Sequence, residues 1–179
     1  MILNRNDLNR YLSSDFSRYP HSNLPFILRW LAGDEHIKVR HYLWVLRHAE
    51  YAVNTHKLYN PLLRFWLRRL SYKYQLMIPL NACGAGLKIN HLGGGIFLNA
   101  NRIGKNCTVT SGVVFGKKGE DDYNRPIIGD NVEVTLGAKV IGRVHIGDNT
   151  IVAPNSVVIK DVPENAVVSG VPAKIIKMN

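Results

Sequence analysis

Residues 128–158, IGDNVEVTLGAKVIGRVHIGDNTIVAPNSVV, carry a large apolar residue at every sixth position. The period extends toward the N-terminus, with one longer step of thirteen residues between Phe115 and Ile128. The full series is Phe97, Ile103, Val109, Phe115, Ile128, Val134, Val140, Ile146, Val152 and Val158. An α-helix repeats every ~3.6 residues and a strand every two, so neither explains a period of six.

A second series of slim residues stands two positions before most members of the first. It consists of Cys107, Val113, Val132, Ala138, Val144, Thr150 and Ser156. Glycine and asparagine recur between the apolar positions, as in 104–106, 129–131 and 147–149, and these residues favour turns. Three short strands and three turns make a triangular coil of about 18 residues, and such coils stack. The pattern therefore predicts a mainly β chain, a parallel β-helix of hexapeptide repeats.

Two interruptions of the period mark candidate functional loops. The step from Ile89 to Phe97 has eight residues instead of six and contains the segment 90–95, NHLGGG. The thirteen-residue step adds a polar loop, 117–127. In a regular solenoid, insertions on one side usually form the working surface.

The N-terminal part has helical rather than six-residue spacing. Helices are predicted over 24–31, ending near Gly33, over 34–54, and from Pro61 to Tyr74. The predicted organisation is a helical subdomain, 1–75, a β-helix, 76–165, and a C-terminal tail, 166–179.

Charge and composition limit the function. The net charge is +10, and residues 1–75 hold 12 Lys/Arg against 5 Asp/Glu, which suits an anionic partner. The Arg-rich third helix could rest on a lipid surface, or it could pack on other helices and on neighbouring subunits. No nucleic-acid-binding signature, membrane span or secretory signal is present, so a cytoplasmic location is expected. Cys83 and Cys107 lack metal or redox spacing and are expected to be buried.

Four segments resemble the hexapeptide-repeat acyltransferases, and within them the serine O-acetyltransferase-like branch. They are Gly86–His91, Ile103–Asn106, Ile128–Val132 and the closing Val168–Lys174. The resemblance implies a left-handed coil, which sequence physics alone does not indicate. It also implies a homotrimer with acetyl-CoA bound in the grooves between subunits, without a metal.

His91 aligns with the catalytic histidine of that family. An alcohol that attacks a thioester must lose its proton, and a neutral imidazole can accept that proton near neutral pH. The developing oxyanion requires a donor, most simply a backbone N–H of an adjacent coil. The predicted reaction is therefore direct attack, with no acyl-enzyme.

The chain departs from the serine enzymes at three places. Leu76 stands where they have the aspartate that orients the histidine, and Asn90 replaces an aspartate just before it. Residues 123–126, YNRP, replace their Asp-Arg-His-Pro. These losses argue against serine as the acceptor and leave the partner of His91 open, with a carbonyl or an acid from Glu120 to Asp122 as candidates. The short helical part is similar to that of members associated with capsule or exopolysaccharide O-acetylation, which favours a sugar hydroxyl.

Further roles are expected for particular residues. Arg125 could hold a carboxylate or phosphate of the acceptor, and Asn90 could hydrogen-bond an acceptor hydroxyl. For acetyl-CoA, the resemblance points to Gly116, Gly137, Ala153 and Lys174. His145 is expected to point outward without a role. Three functions remain open: sugar O-acetylation, the preferred one; serine O-acetylation for cysteine synthesis; and a scaffold or glycan-binding module without catalysis.

Overall fold

A computed structural model describes residues 1–20 and 25–178, so the predicted helix start at Leu24 lies outside the described residues. The helices are α1 (Arg5–Ser17), α2 (Phe26–Leu31), α3 (Glu35–Asn54) and α4 (Asn60–Tyr74). The last three agree with the predicted helices. The sequence did not predict α1, because its mainly polar stretch buries only Leu8, Tyr11 and Asp15 and shows little apolar periodicity. Its start is fixed by Asn4, whose side chain accepts a hydrogen bond from the Asp7 N–H.

Fourteen short strands are described after the helices. They are β1 (Leu76–Met77), β2 (Lys88–Asn90), β3 (Ile96–Leu98), β4 (Arg102–Ile103), β5 (Thr108–Thr110), β6 (Val114–Gly116), β7 (Ile127–Ile128), β8 (Glu133–Val134), β9 (Lys139–Ile141), β10 (His145–Ile146), β11 (Ile151–Val152), β12 (Val157–Val158), β13 (Ala166–Gly170) and β14 (Ala173–Met178). Sheet A has the order β1-β3-β6-β9-β12, sheet B β10-β7-β4 and sheet C β14-β13-β11-β8-β5-β2.

The strands wind into the predicted prism. All neighbouring strands pair in parallel except β13 and β14. Ile127 pairs with His145, which is 18 residues further along the chain, as a triangular coil requires. All seven slim positions are buried, as are nine of the ten large apolar positions. The predicted fold class, a parallel β-helix with N-terminal helices, is confirmed.

Phe97 is the exception in the apolar series. It is 44% exposed, whereas Ile96 and Leu98 on either side of it are buried, and Leu98 pairs with the interior residue Phe115. The prediction that Phe97 fills the interior was therefore wrong by one residue. Side chains alternate along a strand, so the extra residues before β3 exchange the inner and outer positions.

One corner of the prism is closed by an asparagine ladder. Asn106, Asn131, Asn149 and Asn165 all have left-handed backbone, with φ from 54° to 58°. Their side-chain amides hydrogen-bond from coil to coil at 3.2, 3.1 and 3.0 Å. Asparagine adopts the left-handed region more readily than most residues, so the predicted turns are confirmed.

A buried charge network joins the helices to the first coil. Arg47 of α3 is fully buried and donates to Asp15 of α1 at 2.8 Å and to Glu50 at 3.0 Å. It also donates to the carbonyls of Cys83 and Gly84. Burial acts to lower the pKa of Arg47, but Glu50 and Asp15 outweigh it, and the net shift is upward. The helical part is therefore fixed against the end of the prism.

The apolar residues of α4 are divided between core and surface. Leu67 and Leu70 are buried, whereas Leu62, Phe65 and Trp66 are half or more exposed. Residues 57–74 hold five Lys/Arg and no Asp/Glu. We call the exposed part the α4 surface, and it comprises Leu62, Arg64, Phe65, Trp66, Arg68 and Arg69. Among the described residues, no helix is both long enough and apolar enough to span a bilayer.

Residues 166–178, expected to be a tail, form two strands. β13 continues sheet C, with Val168 paired to Val152, and β14 returns antiparallel along it. The buried side chains of Ala166 and Val168 cover the last coil. This hairpin provides a lid over the end of the prism opposite the helices.

Candidate active site

His91 lies at a corner of the prism, at the end of sheet C. It follows the last residue of β2, Asn90, and its backbone is left-handed with φ 58°. The side chain is 73% exposed, so the imidazole reaches solvent rather than the core. A non-glycine residue with positive φ is uncommon and is often found at functional sites.

Three glycines carry the chain from His91 to β3. Gly93 and Gly95 have φ of 106° and 71°. Gly94 faces the side chain of Ser111 in the next coil so closely that a Cβ there would overlap the hydroxyl. The glycine turn therefore packs tightly on the next coil, while the side chain of His91 is directed outward.

The imidazole contacts a carboxylate from the helical part. Nδ1 of His91 lies 3.3 Å from Oε1 of Glu35, the first residue of α3. The same oxygen accepts the backbone N–H of His91 at 3.0 Å, and Oε2 accepts that of Leu92 at 3.4 Å. This contact could not be predicted from the sequence, because 56 residues and a change of fold separate its partners.

Two of the three acids proposed as partners of His91, Asp121 and Asp122, have other contacts. Asp122 accepts from Arg125 at 2.7 Å and from Lys117 at 3.2 Å, and these two hydrogen bonds lower the pKa of its carboxyl. Asp121 accepts the Tyr123 N–H. In the structure, the carboxylate beside the His91 ring is that of Glu35 and not an acid of the 117–127 loop.

Leu76 occupies the interior at the start of the β-helix. Its side chain is buried, and its carbonyl accepts a hydrogen bond of 3.0 Å from the hydroxyl of Tyr42. The position offers a hydrocarbon side chain instead of a carboxylate.

The known proteins similar to this chain include serine acetyltransferases. The enzyme of Staphylococcus aureus strain Mu50 is 35% identical over 130 residues, which are 69% of this chain and 61% of that protein. Among solved structures, the serine acetyltransferase of Brucella abortus is 27% identical, with a TM-score of 0.71 over 96% of this chain and 68% of that one. A serine acetyltransferase in complex with CoA is 23% identical, with a TM-score of 0.74 over 96% of this chain and 71% of that one. No model of a known family matches the chain.

The chain has the left-handed β-helix fold of the serine acetyltransferases. The predicted hand of the coil is thereby confirmed. The chain spans 61% of the length of the Staphylococcus aureus relative. The similar proteins are serine acetyltransferases, so they do not support the predicted capsule or exopolysaccharide branch.

Four predicted site residues share one corner of this left-handed β-helix. Asn90 and His91 lie where sheet C turns into sheet A in the first coil, and Gly137 and Ala153 lie at the same corner in the third and fourth coils. The amide of Gly137 donates to the carbonyl of Ser111 at 2.9 Å. A ligand along this corner would pass the imidazole and then backbone of the next coils.

The other predicted residues lie away from that corner. Gly116 ends β6 at the far end of sheet A, Arg125 belongs to the polar loop, and Lys174 is exposed on β14. Arg125 is paired with Asp122, and its Nε is buried with no partner among the described residues. The predicted ligands therefore do not all lie in one cleft within a single subunit.

Both cysteines are buried inside the β-helix, as predicted. Burial raises the pKa of Cys107 to about 11, and it also raises that of Cys83. The thiols therefore stay protonated and are poor nucleophiles. In the described part of the chain, no three His, Cys, Asp or Glu side chains cluster as metal ligands.

Proposed function

We propose that this protein is an O-acetyltransferase that moves an acetyl group from acetyl-CoA to a hydroxyl. The observation that carries the proposal is an exposed imidazole, on a left-handed backbone at the prism corner, with Nδ1 against a carboxylate. That arrangement leaves the second ring nitrogen, Nε2, turned toward solvent as a base. The similarity to serine acetyltransferases supports the reaction class.

The proposed reaction is a direct displacement. The acceptor oxygen attacks the thioester carbonyl carbon as its proton passes to Nε2 of His91. The tetrahedral intermediate carries an oxyanion, which a backbone N–H of an adjacent coil stabilises. Its collapse breaks the carbon–sulfur bond, and the imidazolium returns the proton to the CoA thiolate. The buried thiols of Cys83 and Cys107 take no part.

Acetyl-CoA is proposed to bind along the corner that carries His91. Backbone at Gly137 and Ala153 would contact the pantetheine arm, with Gly116 contributing from a neighbouring prism and Lys174 meeting a phosphate. The spread of these residues over one chain favours sites between the subunits of a homotrimer. A similar serine acetyltransferase is known in complex with CoA.

Serine is the first acceptor to propose, because the similar sequences and structures are serine acetyltransferases. A sugar hydroxyl is the second candidate. It is favoured by the neutral Asn90 beside His91 and by the pairing of Arg125 with Asp122, which competes with a substrate carboxylate for that guanidinium. Asn90 and Arg125 remain the proposed acceptor ligands in either case.

Release of the CoA thiol in the presence of each acceptor class distinguishes these functions. We expect kcat/KM for serine to exceed that for nucleotide sugars and oligosaccharides. An Arg125→Gln variant should lose affinity for serine more than for a neutral sugar, because only serine presents a carboxylate. Transfer to sugars with none to serine would reverse the order. Binding of acetyl-CoA without transfer to any acceptor would favour the non-catalytic scaffold.

We further propose that the protein acts in the cytoplasm and that the α4 surface contacts anionic membranes. Exposed aromatic side chains beside Arg64, Arg68 and Arg69 match an anionic lipid interface, whereas two such basic surfaces would repel each other. The protein should sediment with vesicles rich in phosphatidylglycerol but not with phosphatidylcholine vesicles. An R64E/R68E double variant should lose this binding. Equal binding to both lipids, or lipid-free self-association that the variant abolishes, would contradict the proposal.

A further inference from the structure

We propose that Glu35 is the positioning residue of His91, so that the helical part completes the active site of the β-helix. This inference rests on the proposed function, because it assigns a role to Glu35 within the same reaction. His91 would be the base, and Glu35 would act only through it. The acid comes from α3, outside the prism that carries the imidazole.

The Glu35 carboxylate makes two hydrogen bonds and one ring contact with this turn. The backbone N–H groups of His91 and Leu92 donate to it, and the ring nitrogen Nδ1 of His91 lies 3.3 Å from Oε1, within ion-pair distance. The two backbone contacts hold the left-handed turn, and the ring contact selects the orientation of the imidazole. The carboxylate would favour a proton on Nδ1, and the lone pair would then lie on Nε2 of this exposed ring. As Nε2 takes the acceptor's proton, the carboxylate stabilises the imidazolium that forms.

The position of Glu35 is itself fixed by its neighbours. Asp34 caps α3 by accepting the His36 N–H at 2.9 Å, and its other oxygen accepts from Arg29 at 2.7 Å. The Arg29 side chain is only 10% exposed, which holds the turn between α2 and α3. A carboxylate in the first turn of a helix is also favoured by the helix dipole. The same helix is tied to the first coil through Arg47, so it cannot shift without breaking the buried network.

Most of the other acids that could orient His91 are either absent or engaged in different contacts. Leu76 gives the β-helix a buried hydrocarbon where the resemblance called for an orienting acid. The loop acids Asp121 and Asp122 are engaged elsewhere. Among the described residues, Glu35 is the carboxylate in contact with the ring of His91.

Glu35→Gln tests the inference, because it removes the charge and keeps the size. We expect kcat to fall about 10-fold or more, because a poorly positioned His91 would lose part of the contribution of a general base. The KM for acetyl-CoA and the Tm should not change. Glu35→Asp should recover part of the loss. Glu133→Gln, an exposed acid on β8, is the matched control and should keep wild-type kcat. In a His91→Ala background, Glu35→Gln should have no further effect, because the residue that it positions is gone.

A second measurement does not depend on turnover. Nitrogen-15 NMR of the His91 ring should show the Nδ1–H tautomer in the wild-type protein and a shift toward Nε2–H in Glu35→Gln. If no acceptor is acetylated and the tautomer still changes, the proposed function fails while the contact stands. An unchanged tautomer with unchanged kcat would overturn the inference. Equal kcat losses in the wild-type and His91→Ala backgrounds would also overturn it, because they would assign Glu35 a purely structural role.

Discussion

His91→Ala is expected to lower kcat by about 100-fold or more, with little change in Tm or in the affinity for acetyl-CoA. The loss follows because the acceptor hydroxyl would have no base to take its proton as the bond to carbon forms. The fold should persist, because the side chain is 73% exposed and lies outside the core. Steady-state thiol release measures kcat, and thermal unfolding reports the integrity of the protein.

His145→Ala is the matched control for that experiment. His145 is also exposed, at the start of β10, and its backbone N–H donates to Asp161 without involving the ring. It should keep wild-type turnover. Full activity of His91→Ala would remove the imidazole from the mechanism. Loss of acetyl-CoA binding together with kcat would instead indicate a binding role for His91.

Arg47→Met is expected to lower the free energy of unfolding by about 3–5 kcal/mol, the usual cost of removing one partner of a buried ion pair. Asp15 and Glu50 would remain buried without their counter-charge, and the carbonyls of Cys83 and Gly84 would lose a donor. Burial already raises the pKa of Glu50 despite the nearby Arg47, which shows how little water reaches the network. Urea denaturation followed by circular dichroism measures the change.

Arg64→Met provides the comparison for Arg47→Met. Arg64 is an exposed arginine on α4, so its replacement should change the unfolding free energy by less than about 0.5 kcal/mol. Because Arg47 ties α3 to the first coil, its loss should also reduce the contact between Glu35 and His91. A fully stable Arg47→Met protein would mean that the helices are held mainly by their apolar contacts.

The β-helix could be predicted from the sequence because its signal is local and repeated. Val134 and Asn131 in one coil and Val152 and Asn149 in the next repeat the same pattern, so one misread position does little harm. Phe97 was misread where the repeat itself is interrupted, since periodicity gives no register across an insertion.

Only some of the active-site residues could be predicted from the sequence. His91 could be found because it lies in the interruption of the repeat and matches a family motif. Glu35 could not, because its contact with His91 depends on how a helix docks on the first coils. That docking is set by Arg47 and Asp15, polar residues that a search for apolar periodicity passes over.

Acetyl transfer itself is the most direct test of the proposed reaction. Purified protein is incubated with acetyl-CoA and either serine or a panel of sugars, and the CoA thiol, the acetylated product and the protein mass are followed together. We expect equal amounts of free thiol and O-acetylated acceptor, turnover that needs both substrates, and no acetyl group on the protein. Bound acetyl-CoA that is never transferred, or a stable acetyl-protein on the path to product, would contradict the proposed reaction.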